Sequence, residues 1–162
     1  MILVVVSTGH FDPLISECGK LHSKYEFYGQ IGSSTVIPPF PYVRTATPDE
    51  IQRKMEEAEI VVSHGGAGMT AMLCRLQKKC IIIPKQKRYG EMNNLQVELA
   101  QKWGELGMGE YILDVEHLDA TIQKVRRTHY RFPTFPKIGL EVKRIIGLEN
   151  NSVQVATPIS GY

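Results

Sequence analysis

The sequence predicts an α/β fold: a parallel sheet with helices packed on both faces. Three observations point to it. Apolar, β-branched runs alternate with helix-forming segments along the chain, the pattern of a doubly covered parallel sheet. The first run, Ile2-Leu3-Val4-Val5-Val6, carries no polar alternation, as expected of a strand buried on both faces. Polar, Gly-rich loops follow several of the runs.

Residues 2–6 form the first strand, and lack the basic flank and length of a signal peptide. Residues 13–20 suit a short helix, with Asp12 as N-cap and Pro13 at the first helical position. A second strand at 26–31 ends in Gly32-Ser33-Ser34. Thr47-Pro48-Asp49-Glu50 is a capping box with proline at its first helical position, opening a helix to about Glu57. The strand 60–63 then leads through His64-Gly65-Gly66-Ala67-Gly68 into a helix after Gly68. A strand at 80–84, a helix from about Asn94 to Trp103 and a short edge-like strand at 111–113 follow. Residues 118–127 form a helix with Leu118, Ile122 and Val125 on one face. A last helix is expected at about 137–147, after the extended linker Phe132-Pro133-Thr134-Phe135-Pro136. The expected domain is 1–149, with 150–162 a polar tail of no amphipathic period.

Composition narrows the function. A chain of 162 residues makes one domain with a real core. A net charge of +2 is too small to argue for nucleic acid by bulk electrostatics. Cys18, Cys74 and Cys80 are odd in number and lack metal-type spacing, so they read as reduced core thiols of a cytosolic protein. No apolar run approaches the ~20 residues that a membrane helix needs.

Parallel sheets bind ligands at the carboxyl ends of their strands. Four polar loops fall at that edge: Ser7-Thr8-Gly9-His10, Gly32-Ser33-Ser34, residues 64–68, and residues 89–96. The strand, Gly-rich turn and helix at 60–76 is the sharpest of these signals. Glycines let another group approach the backbone closely. The first helical N–H groups have no intrahelical partner and favour an anion. A phosphate or diphosphate is the natural occupant.

These residues carry a resemblance. Ser63-His64-Gly65-Gly66-Ala67-Gly68, Ile83-Pro84, Tyr89-Gly90-Glu91 and Asn94-Leu95-Gln96 resemble the C-terminal, nucleotide-sugar-binding half of family 28 glycosyltransferases. Thr8-Gly9-His10-Phe11-Asp12-Pro13-Leu14-Ile15 is similar to that group's opening, and Gly29-Gln30-Ile31-Gly32-Ser33-Ser34 to its Val-Gln-Ile-Gly segment. The likeness runs from about Ile2 to Gly147. It extends to the small soluble subunits of split transferases, of the dolichol-chitobiose and the bacterial exopolysaccharide or capsule types. The expected fold is accordingly Rossmann-like, the C-terminal half of a two-domain GT-B enzyme. There are departures. Met72 stands where many members have a ribose-holding Glu, Gln77-Lys78-Lys79 replaces Gly-Lys-Pro, and Leu95 replaces the histidine of an Asp-His-Gln or Asn-His-Gln triplet.

The resemblance implies an inverting UDP-sugar transferase that needs no metal or cofactor, and the sequence has no Asp-x-Asp pair to hold a divalent ion. The implied donor-binding set is Thr8, Gly9, Gly32, Ser33, Ser34, His64, Gly65, Gly66, Ala67, Gly68, Met69, Thr70, Glu91, Asn94 and Gln96. The hydroxyls of Ser33, Ser34 and Thr70 either bind the donor or serve turns and caps. His10 is the candidate base, the alternative being a turn residue that binds backbone or donor; Glu91 is a further base candidate. His22, His117 and His129 receive no role. Half of a GT-B enzyme implies a membrane-anchored partner, a lipid-linked saccharide acceptor, and a cytoplasmic chain recruited to the membrane face. The helix face of Ile138, Val142, Ile145 and Ile146 either docks that partner or packs on this domain's own sheet. The competing class is a non-catalytic enhancer or scaffold subunit. A two-domain nucleotide-sugar epimerase and a dinucleotide-binding protein fit less well, the latter because no Gly-x-Gly-x-x-Gly follows the first strand.

Overall fold

The computed structural model describes residues 1–90 and 95–133. A six-stranded, all-parallel sheet runs through residues Met1–Phe132, which form one compact unit. In chain order the elements are β1 (Ile2–Val5), α1 (Asp12–Leu21), β2 (Phe27–Gln30), β3 (Tyr42–Val43), α2 (Pro48–Glu57), β4 (Ile60–Ser63), α3 (Ala67–Arg75), β5 (Cys80–Ile82), α4 (Leu95–Glu105), β6 (Glu110–Tyr111) and α5 (Leu118–Arg127). Single 3₁₀ turns lie at Lys87–Tyr89 and Val115–His117. The strand order is β3-β2-β1-β4-β5-β6.

The run at 2–6 does what an unbroken apolar strand must. Ile2, Val4 and Val6 enter one core with Leu14, Ile15 and Cys18 of α1 and Leu118, Ile122 and Val125 of α5. Leu3 and Val5 enter the other with Ile51 and Met55 of α2, Leu73 of α3, and Ala100 and Trp103 of α4. Successive side chains point to opposite faces, so one central strand feeds both layers. Each such buried side chain contributes roughly 1.5–3 kcal/mol. Cys18, Cys74 and Cys80 are free, buried thiols; burial pushes the Cys80 thiol up to about 12, partly offset by the Trp103 indole N–H.

Several expectations hold to the residue. Thr47 caps α2 in a reciprocal capping box with Glu50, and β4 and α5 have the expected bounds. Others are corrected. Asp12 is not the N-cap of α1: Phe11 occupies that place without a side-chain cap. The Asp12 carboxylate instead accepts from the Thr35 N–H (2.8 Å) and hydroxyl (2.5 Å) and from the Val36 N–H (3.3 Å). Burial works against its charge, but these bonds and nearby His10 outweigh it and hold the pKa below the usual range. Helix α3 starts at Ala67 with Gly66 as N-cap, earlier than the glycine content suggests. Strand β3 had no expectation: it is two residues long and no apolar run marks it, and it joins because Gly29 donates to the Pro41 carbonyl and Ile31 to that of Val43. The edge strand β6 lies at Glu110–Tyr111 rather than 111–113. The expected helix at 137–147 and tail at 150–162 lie outside the described residues.

A polar clasp joins the segment after α1 to α5. Lys24 Nζ lies 2.7 Å from the Asp119 carboxylate, and the Tyr25 hydroxyl donates to it at 2.5 Å. Lys24 foremost, then Tyr25, holds the Asp119 pKa down from 3.8 to about 2. A depressed carboxylate adds stability above its unfolded pKa and loses it as pH falls through the folded one. Urea unfolding of wild type and Asp119→Asn will therefore differ at neutral pH, and the difference will shrink as pH falls from 3.8 towards 2. A gap that persists below that window removes the clasp as its source.

Candidate functional site

The sheet register sets the site. Gln30 pairs with Val5, Val5 with Ser63, Ser63 with Ile82 and Ile82 with Tyr111. The carboxyl ends of β2, β1, β4, β5 and β6 are therefore level, and the loops that leave them form one edge.

At the centre of that edge, β4 turns into α3. Gly65 has φ +82°, and a Cβ there would stand 2.6 Å from Ile82 Cγ2. Both the backbone sense and the packing of the turn on β5 require glycine. Gly66 is the N-cap, and no side chain caps α3, in contrast to α2. A Cβ on Gly68 would meet nothing within 4 Å, and Ala67 is exposed. The first N–H groups of the helix have no intrahelical partner, and none is capped by a side chain. His64 is half-buried, with Nε2 at 2.9 Å from the Cβ position of Gly66. Met69 and Met72 pack partly into the core beneath α3. The Thr70 hydroxyl donates to the Ala67 carbonyl at 2.9 Å within its own helix.

The β1 and β2 loops lock together beside this turn. Gly32 has φ +56°, and a Cβ there would fall 2.1 Å from the Gly9 carbonyl oxygen and 2.4 Å from that of Ser7. Ser33 donates its N–H to the Gly9 carbonyl at 2.9 Å and is otherwise exposed. Arg44 Nη1 bonds the Gly32 and Ser34 carbonyls at 3.1 and 3.0 Å. Ser34 is 1% exposed, and its hydroxyl accepts from the Phe11 N–H at 3.0 Å. It braces the start of α1. Thr8 and His10 are exposed on the β1 loop.

The loop after β5 closes the edge. Its 3₁₀ turn is tied to the segment after β6, where Gln86 Nε2, Arg88 and the Tyr89 hydroxyl all donate to the Leu113 carbonyl. Arg88 also pairs with Asp114, and the Tyr89 ring lies 5.1 Å from Phe11. Gln96, at the start of α4, accepts the Lys85 N–H through Oε1 at 3.2 Å. Glu91 and Asn94 lie outside the described residues. The residue that sequence reasoning passed over is Lys85. It is 7% exposed, and Nζ lies 2.7 Å from the Cβ position of Gly9. Its signal was available: a lysine straight after Ile83-Pro84, at the ligand-binding edge.

A six-stranded parallel sheet with a Gly-rich turn into a helix without a side-chain cap is a Rossmann-like architecture. The glycosyltransferase family 28 C-terminal domain matches residues 10–138, and the chain belongs to that family. It is 31% identical over 115 residues to the UDP-N-acetylglucosamine transferase subunit ALG13 of Homo sapiens, over 62% of this chain. The match spans only 10% of that relative's length. Among solved structures, a glycotransferase of kitacinnamycin superposes with a TM-score of 0.59 at 18% identity, over 78% of this chain and 35% of that one. Glycosyltransferase SsfS6 of Streptomyces sp. SF2575, complexed with thymidine diphosphate, superposes with a TM-score of 0.54 at 16% identity, over 78% and 33%. The fold is thus the Rossmann-like C-terminal half of a GT-B glycosyltransferase. No helix among the described residues is long and apolar enough to cross a membrane.

The turn supplies a direct test. Gly66 has φ −61° and ψ 144°, a conformation open to valine, but the new side chain would meet His64 Nε2 and crowd the first turn of α3. Gly66→Val is expected to keep the circular dichroism and melting behaviour of a folded domain and to lose measurable UDP binding by calorimetry. Unchanged UDP affinity in the folded variant removes the turn as the diphosphate site.

Proposed function

We propose that this chain is the catalytic, donor-binding subunit of a two-component, inverting UDP-sugar hexosyltransferase that extends a lipid-linked saccharide. Exopolysaccharide or capsule assembly, or a related glycan pathway, is its setting. The observation that carries the reading is the uncapped N-terminus of α3, open at Gly68 and placed by Gly65 at the carboxyl edge of β4. The name of the human relative, a UDP-N-acetylglucosamine transferase subunit, supports both the donor class and the division into subunits.

In this reading the donor diphosphate sits against residues 65–70, with Gly9, Gly32 and Ser33 beside it, and Gln96, with Glu91 and Asn94, belongs to the donor set that the family resemblance implies. Charge grows on the departing UDP, and preorganised N–H donors meet it with little reorganisation. Metal ions and cofactors are not needed. An acceptor hydroxyl attacks from the opposite side of the sugar and gives its proton to a base. His10 is the base in this reading, supported by its exposure and its position after the carboxyl end of β1, the strand beside β4. The second reading, a non-catalytic scaffold subunit, draws on Met72, which stands in place of the ribose carboxylate and lines a 250 Å³ hollow with Gly68, Ala71 and Arg75. UDP titration separates the two.

The partner supplies the other GT-B half, the acceptor site and the membrane anchor, and recruits this chain to the cytoplasmic face. Positioning of the acceptor hydroxyl can supply roughly 7–11 kcal/mol of barrier reduction, so one wall of the cleft alone turns over poorly. His10→Ala, assayed with the partner present, is expected to lower turnover about a hundredfold or more with little change in UDP affinity. Turnover within a few-fold of wild type places the base elsewhere. Transfer from radiolabelled UDP-sugar to a lipid acceptor is expected to be near background for the purified chain and to appear when the membrane-associated partner is added. Full turnover by the chain alone overturns the split-enzyme reading.

A further inference from the structure

We propose that Lys85 neutralises the donor diphosphate, as a second source of positive charge besides the N-terminus of α3. This rests on the donor-site reading above and adds a residue to it. Lysine carries a compact, strongly hydrated charge and is almost never fully buried unless the fold holds it. Lys85 is 7% exposed, while Lys87 and Arg88 of the same loop are exposed in the ordinary way.

The start and the end of its reach can both be placed. Its backbone N–H is held by Gln96 Oε1 at 3.2 Å. Its ammonium ends beside Gly9, 2.7 Å from where a Cβ would stand, and Gly9 is itself held by the Ser33 N–H at 2.9 Å. Strands β5 and β1 flank β4 on opposite sides. A side chain that starts after β5 and ends at the β1 loop therefore spans the carboxyl end of β4, where residues 64–66 turn into α3. A cation shielded from water at this position attracts an anion more strongly than a solvated one does.

The chemistry balances without further reactants. The bond between the sugar C1 and the β-phosphate oxygen breaks, and its electron pair stays on that oxygen. The acceptor hydroxyl oxygen bonds to C1 and passes its proton to the base. The added negative charge on UDP lies against the Lys85 ammonium, which keeps its proton throughout.

The test compares UDP with uridine by NMR titration of wild type, Lys85→Met and Lys85→Gln. Lys102→Met, at an exposed lysine on α4 paired with Glu105, controls for the loss of one positive charge. The expected result is a loss of UDP affinity of about tenfold to a hundredfold in both Lys85 variants, with uridine affinity within about twofold and Lys102→Met unchanged. UDP affinity equal to wild type in the Lys85 variants overturns the inference and leaves the donor site standing. UDP and uridine affinities that fall in equal proportion mark a structural role and also overturn it. Wild-type protein that binds no UDP overturns the donor-site reading itself, and this inference with it.

Discussion

The rest of the structure depends on the burial of β1 between two strands and two helical layers. Ile2, Leu3, Val4, Val5 and Val6 are at most 1% exposed, and they pair in parallel register with β2 on one side and β4 on the other. A one-residue slip would exchange the two faces of the strand. Because β1, β2, β4 and β5 share one register, their carboxyl ends are level, and loops far apart in sequence meet at one edge. Residues 7–10, 32–34, 64–66 and 84–86 are neighbours for that reason alone.

At that edge the fold trades side chains for backbone. Gly32 and Gly65 adopt positive φ, and a Cβ at either would collide with a neighbouring strand or loop. The hydroxyls that a sequence reader assigns to the ligand are mostly engaged elsewhere: Ser34 braces Phe11, and Thr70 bonds back along α3. What the fold offers an anion at this edge is main-chain N–H and the helix dipole. That suits a diphosphate, whose oxygens accept several donors at once and whose charge changes most during glycosyl transfer.

The contrast between α2 and α3 has the same origin. Helix α2 completes its own N-terminus with Thr47 and Glu50, and its two acidic residues at the first turn match its dipole. Helix α3 has neither cap nor acidic residue there. Supports come instead from the flanks: Arg44 holds the β2 loop, and Arg88 and Tyr89 hold the β5 loop against the segment after β6.

Much was legible in the residues themselves. Unbroken β-branched runs determined β1, β4 and β5, the reciprocal Thr47–Glu50 pattern determined the start of α2, and the glycines after Ser63 determined the turn at the ligand edge. These signals are local: each depends on backbone sterics or on burial periodicity within a few residues. Strand β3 was not legible, because two residues joined by backbone bonds to Gly29 and Ile31 leave no apolar pattern. The N-cap role of Asp12 was misread, and the sequence left open which bonds Ser34 and Thr70 make, since each hydrogen-bonds a group whose position depends on the packing of other elements or on where a helix starts. Lys85 stood in a basic, polar loop beside Lys87 and Arg88, and its place straight after Ile83-Pro84 marked the edge but not its burial. Only the parallel sheet, by bringing the end of β5 within reach of Gly9, decided that this one lysine is buried while its neighbours remain in water.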